Sequence, residues 1–387
     1  MRGLLCLFAA AVLALLPACS TPPAANSPTP VATAPAEPPA TPPPTETTAP
    51  TATAAPSPTP EATPTLAPLA PNFTVYGEDP VVPHGPQGSW DGRYTDPGAV
   101  VHHDGQFHMF HNGFTRWPGA VGIAYSTSPD GFTWTRQGDE PVFTAEGVEY
   151  AGLTLLASSA LVEDDGAWVL YFYTWESTGP GGSSRIGRAT APAPTGPWTA
   201  DPEPLLVPGP EGAWDAFSVL VPSVVRTDDG YRMYYTGEPA ATPGGARIGM
   251  ATSSDGRTWT KYDDPATTEP LYAQSDPVLG PGESGAWDDR FVHQPRVELT
   301  PDGWVMIYRS ARGGGQGIGL GLATSADGVE WTRYEGNPVL VPEAAPRGQA
   351  IWFTELLYHD DTYFLFFELG RGRTTDVFLA THAGSLH

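Results

Sequence analysis

From about residue 71 onward, short apolar and aromatic runs alternate with Asp-Gly pairs, and the alternation recurs in copies of roughly 60 residues. Each copy reads in one order: an apolar strand, an Asp-Gly turn, an aromatic-rich strand, an Ile-Gly-x-Ala-Thr strand, and an Asp-Gly-x-x-Trp turn running into Pro-Val. The first copy contains Asp96-Pro97-Gly98-Ala99-Val100, Asp104-Gly105, Phe107 to Phe110, Gly122 to Ser126, Asp130 to Trp134 and Pro141-Val142. The third contains Val221-Pro222-Ser223-Val224-Val225, Asp229-Gly230, Tyr231 to Tyr235, Ile248 to Thr252 and Asp255 to Trp259. A second copy passes through Trp168 to Tyr173 and Trp198, a fourth through Gln294-Pro295-Arg296-Val297 and Trp331. The fifth keeps Asp360-Asp361, Tyr363 to Phe367 and Val377 to Thr381, then stops.

Asp-Gly pairs between β-branched and aromatic runs are hairpin signals, and four such strands make one antiparallel blade. Blades repeated radially form a propeller, which leaves only short sheet edges exposed. The predicted fold is therefore all-β, a five-bladed β-propeller with four-stranded antiparallel blades. The incomplete fifth copy needs an outer strand, and Phe73 to Tyr76 with Asp79-Pro80-Val81-Val82 supplies a candidate. The N-terminal strand would then close the ring. Trp134, Trp198, Trp259 and Trp331 recur at one repeat position, which assigns them to packing between blades.

The first residues differ in kind. Met1-Arg2, an apolar stretch from Leu4 to Leu16 and Leu16-Pro17-Ala18-Cys19 read as an export signal over residues 1–19. Its end resembles the bacterial lipobox, which implies lipidation at Cys19 and a position at the outer face of the cell membrane, on the cell surface. Residues 20–71 are built of Pro, Thr, Ala, Ser and Glu and hold nothing that could form a core, so they read as a disordered tether. Residues 72–387 form the propeller. Cys6 and Cys19 are the sole cysteines, so the propeller is expected to be stabilised by packing without disulfides.

The formal net charge of −24 disfavours nucleic acid and anionic lipid, both of which need basic patches. The lipid anchor is the one membrane contact expected, and the domain is expected to be monomeric. His102, His103 and His108 lack a completing ligand set, so no metal is expected, and no cofactor.

In a propeller the inner strand of each blade lines the axis and the second strand returns beside it. The start of the first and the end of the second therefore meet at one mouth, where a ligand cavity forms. At inner-strand starts stand Arg93 and Asp96, Asp215, His293 and Gln294, and Glu355; at second-strand ends stand Trp175 and Glu176, Glu238, Arg309 and Glu368. Aromatic faces and planar polar groups suit sugars, and glycoside cleavage needs two carboxyl groups flanking the bond.

The blade pattern, from Phe73 to the C-terminus, resembles the five-bladed glycosidase superfamily that includes arabinanases, β-xylosidases, invertases and mannoside phosphorylases. The strongest local match is Thr95-Asp96-Pro97 ahead of Asp104-Gly105-Gln106-Phe107. By that resemblance Asp96 is the general base. The positions aligned with the family's two further carboxylates hold Val221 and Gln294, so the acid must come from a neighbouring place. Glu238 is the expected acid, assisted by Asp215, with Arg93, Trp175, Glu176, His293, Gln294, Arg309 and Glu355 binding substrate. The resemblance thus implies an extracytoplasmic glycosidase acting on neutral oligo- or polysaccharide. The alternative is a carbohydrate-binding lipoprotein whose glycosidase site has degenerated.

Overall fold

The structure, a computed structural model, describes residues 73–176, 182–239, 245–311, 318–341, 351–371 and 373–387. The export signal, Cys19 and the tether lie outside the described residues. Five antiparallel sheets follow one another along the chain. The inner strands are Tyr94–His103, Thr154–Val162, Ser218–Thr227, Phe291–Thr300 and Thr354–His359. Each neighbours the next, and the fifth neighbours the first, so the five sheets form a ring around an axis.

The hairpins form where the turn chemistry demanded them. Asp104 and Gly105 both take positive φ, as do Asp360 and Asp361, the geometry that matches the twist of the strands they join. The last blade runs Thr354–His359, Thr362–Arg371 and Thr374–Ala383, and the segment Thr74–Val75 pairs with its third strand, Thr74 opposite Thr381. Val82 bridges to Val377 of the same strand.

Burial between successive blades supplies the core. The recurring tryptophans each meet, edge to face, an aromatic ring on the second strand of the preceding blade. Trp198 packs on Phe110 at 5.5 Å, Trp259 on Tyr171 at 6.2 Å, Trp331 on Tyr234 at 5.7 Å, and Trp134 on Phe366 across the closing seam at 5.6 Å. The four interplanar angles lie between 81° and 87°. One packing unit is therefore reused at four of the seams.

A second repeated device fixes each Trp-Asp pair before an inner strand. Asp91 pairs with Arg136, Asp215 Oδ2 with Lys261 Nζ at 2.5 Å, and Asp288 Oδ2 with Arg333 Nε at 2.8 Å, each base standing on the outer strand of the same blade. All three carboxylates are buried. They pin the loop that enters the inner strand.

The inner strands themselves are broken. Between Asp96 and Ala99, Ala157 and Ser159, Leu220 and Ser223, and His293 and Arg296, one extra residue faces the second strand. Such bulges re-aim side chains. Val221 and Gln294 take positive φ at this place, at 52° and 54°, a conformation that side-chain-bearing residues seldom adopt. The pairing of Thr354–His359 with the fifth blade's second strand runs without a break.

Candidate active site

One end of the ring opens into a cavity of about 520 Å³, within the range of ligand pockets. Its walls come from inner-strand starts (Tyr94, Val221, His293, Gln294) and second-strand ends (Trp175, Glu238, Arg309, Glu368), as the propeller geometry requires. Aromatic rings dominate. Trp117 and Trp175 lie 5.2 Å apart, and Trp352, 45% exposed, stands over the Arg309 guanidinium at 4.5 Å.

Acid groups stand at and beneath this cavity. Glu368 lines it, whereas Asp96, the expected base, is 1% exposed and does not. Asn112 donates from Nδ2 to Asp96 Oδ1 at 2.8 Å, and Asp96 Oδ2 has no hydrogen-bond partner among the described residues. Burial pushes the Asp96 carboxyl up to about 7, with Asn112 and the charge of Arg296 pulling the other way. Burial pushes Glu368 well above the usual carboxylate range too, and the like charge of Asp96 adds to it. Thr375 and Arg309 oppose that rise. Burial thus raises the proton affinity of both carboxyls, and the charge of Asp96 raises that of Glu368 further.

Glu238 lines the cavity from the third blade, and His293 Nε2 lies 3.5 Å from its Oε1. Arg309 is buried and lowered to about 10 by that burial, with Glu368 acting against the shift. Gln294 is anchored through its amide to Thr236 Oγ1 at 2.8 Å, and its side-chain oxygen has no partner among the described residues.

Four expected residues stand elsewhere. Asp215 is taken up by Lys261 and does not line the cavity, because its place before the inner strand points it back along its own blade. Glu176 pairs with Arg185, and Arg93 donates to the carbonyls of Thr115 and Arg373 at 3.3 Å each. Neither lines the cavity. Glu355 is buried on the axis, where its Oε2 lies 3.1 Å from Arg296 Nη1.

Sequence reasoning missed the coupling of Glu368 to Asp96, and it missed Trp117 and Trp352, which lie outside the strands. It also gave no role to Arg296. The signal was present: Asp96-Pro97-Gly98, Val221-Pro222-Ser223 and Gln294-Pro295-Arg296 align, so a buried arginine stands where two copies have Gly or Ser.

No protein-family model matches the chain, and no curated protein matches it in sequence. Solved structures do match it in fold. A GH130-family glycoside hydrolase that targets β-1,2-mannosidic linkages in Candida mannan superposes with a TM-score of 0.62 at 18% identity, over 83% of this chain and 97% of that one. The chain shares the five-bladed propeller fold of these structures. A family 117 glycoside hydrolase from Zobellia galactanivorans matches this propeller with a TM-score of 0.54 at 17% identity, over 80% of this chain and 90% of that one. The β-1,2-mannobiose phosphorylase of Listeria innocua matches with 0.58 at 13% identity, over 81% and 97%.

Proposed function

We propose that the protein is an exported glycoside hydrolase acting on a neutral oligo- or polysaccharide. The observation that carries this reading is the buried Asp96–Glu368 couple beside an aromatic-walled cavity that also holds Glu238. A general acid must keep its proton at working pH, and burial beside a like charge is how a carboxyl does so. Glu368 faces the cavity and is assigned as the acid. Asp96, beneath it, keeps it protonated. This departs from the family motif, which makes Asp96 the base, because Asp96 does not line the cavity whereas Glu238 does.

The sugar ring stacks on the tryptophans, and Glu368 gives its proton to the leaving glycosidic oxygen. Glu238 accepts a proton from the water that attacks the anomeric carbon, with His293 Nε2 3.5 Å from its carboxylate. The products are a hemiacetal and a free hydroxyl. The solved relatives in fold act on glycosidic bonds, which supports the same class here. Export rests on the signal sequence.

A second reading replaces water by inorganic phosphate. Arg309, Arg373 and His293 line the cavity, and Arg309 has no carboxylate within 4.0 Å among the described residues. Two guanidinium groups on one cavity wall favour an anionic ligand. The Listeria relative in fold is a phosphorylase.

The test is a panel of manno-, arabino-, xylo- and fructo-oligosaccharides offered to the purified full-length protein with and without phosphate. Free sugar release is read alongside the melting temperature. Release without phosphate that disappears in Glu368→Gln supports the hydrolase. Release of sugar 1-phosphate supports the second reading, and a raised melting temperature without any release leaves a carbohydrate-binding protein.

A further inference from the structure

Arg296 leaves the inner strand of the fourth blade immediately after the bulge and is buried to 2%. A guanidinium does not lose its proton in a protein, so a permanent positive charge stands inside the ring. Its Nη1 donates to the carbonyl of Ser158 and to Ser158 Oγ at 3.0 Å, and lies 3.1 Å from Glu355 Oε2. Ser158 Oγ in turn donates to the Pro222 carbonyl at 2.8 Å. One side chain of the fourth blade thus engages the second and fifth blades directly and the third through Ser158, while its charge acts on Asp96 of the first.

The groups facing these acids are few. Around Asp96 stand Asn112, Glu368, Arg296 and the buried hydroxyl of Tyr173. Around Glu355 stand Arg296 and Glu298. Without Arg296, Glu355 would be left facing Glu298, and Asp96 would be left facing Glu368.

We propose that Arg296 is a positioning residue of the site, a fixed charge inside the ring that orients Glu355 and tunes the acidity of the Asp96–Glu368 couple. Arg296 does not line the cavity, so it acts on a substrate through those acids. The proposal rests on the reading of the cavity as a glycoside-cleaving site for its kinetic consequence alone; its effect on proton affinity holds without substrate.

The test compares Arg296→Met and Arg296→Lys with the unaltered protein in two measurements. The first is the pH–rate profile on whichever glycoside is cleaved. Loss of the charge is expected to move the alkaline limb upward by about one to three pH units, the effect of a close opposite charge on a carboxyl. Arg296→Lys, which keeps the charge, is expected to cancel most of that shift. The second is the melting temperature across pH, without substrate, in both Asp96 and Asp96→Asn backgrounds. The fall in stability as pH rises through about 7 is expected to extend to higher pH in Arg296→Met, and Asp96→Asn is expected to abolish the difference. Cooperatively folded Arg296→Met with an unchanged profile and an unchanged melting curve would overturn the proposal, as would Arg296→Lys behaving like Arg296→Met. If the methionine variant does not fold, Arg296→Gln, which keeps a donor for Ser158 without the charge, carries the same comparison. Should the protein cleave no glycoside, the functional reading fails and the melting curves alone decide this one.

Discussion

Asn112 donates from Nδ2 to Asp96 Oδ1 at 2.8 Å, while its own Oδ1 accepts the Ala157 amide at 2.8 Å. A single amide side chain therefore locks the first blade's acid to the second blade's inner strand. Asn112→Ala removes these two bonds and a third, from Nδ2 to the Ala157 carbonyl at 3.1 Å, and leaves the buried Ala157 N–H unsatisfied, at a cost of ~1–3 kcal/mol. The same change raises the proton affinity of Asp96, because the lost bond favoured its charged form. Denaturant melts and the pH–rate profile read the two effects separately.

Glu368→Gln is expected to lower kcat by ~10²–10⁴-fold, the usual contribution of a general acid. A substrate with a leaving group that needs no proton should lose far less. Equal loss on both substrates would remove Glu368 from the role of acid.

Asp96→Asn separates stability from activity. Its folded-state proton affinity is raised, so the native state holds the proton more tightly than the unfolded chain does. Stability is therefore lost as pH rises from about 4 towards 7 and stays low above. The amide carries no such charge. The variant should melt higher than the unaltered protein at pH 8, match it near pH 4, and cleave more slowly at both.

Lys261→Met tests the loop-pinning pair. Asp215 is fully buried, and taking away the lysine paired with it leaves an uncompensated charge worth ~3–5 kcal/mol. Lys261→Met combined with Asp215→Asn should recover most of that stability. Catalysis per folded molecule should change little, since neither side chain lines the cavity.

The Asp-Gly turns before the recurring tryptophans give the opposite pH signature. Asp255 accepts the amides of Arg257 and Thr258 at 2.8 and 2.7 Å, which holds its carboxyl down at about 2. A depressed folded value contributes stability present above the unfolded value of about 4 and lost as pH falls through about 2. Asp255→Asn should accordingly lower the melting temperature at pH 7 and leave it unchanged near pH 2.

How much of this was legible in the sequence follows from where each signal resides. The blades were legible because four of the five inner hairpins carry an Asp-Gly turn and four of the five seams a tryptophan, so the information is local and repeated. The cavity's place was legible too, since strand order alone dictates which ends meet. The proton couple was not. Asp96 and Glu368 stand near opposite ends of the domain, and their mutual effect depends on a burial that no spacing reports. Asp215 misled for the converse reason: a carboxylate at the entry to an inner strand looks poised for chemistry until the lysine that occupies it, on another strand, is in view.

A glycosidic linkage has no symmetry, whereas a ring of repeated blades has a great deal. Four inner strands carry the same bulge and the fifth does not. That one unbroken strand brings Glu355 to the axis in a register its four counterparts do not share, and the adjoining strand brings Glu368 to the cavity. Duplication can supply the scaffold, but only a copy that departs from the others can tell one end of a sugar from the other.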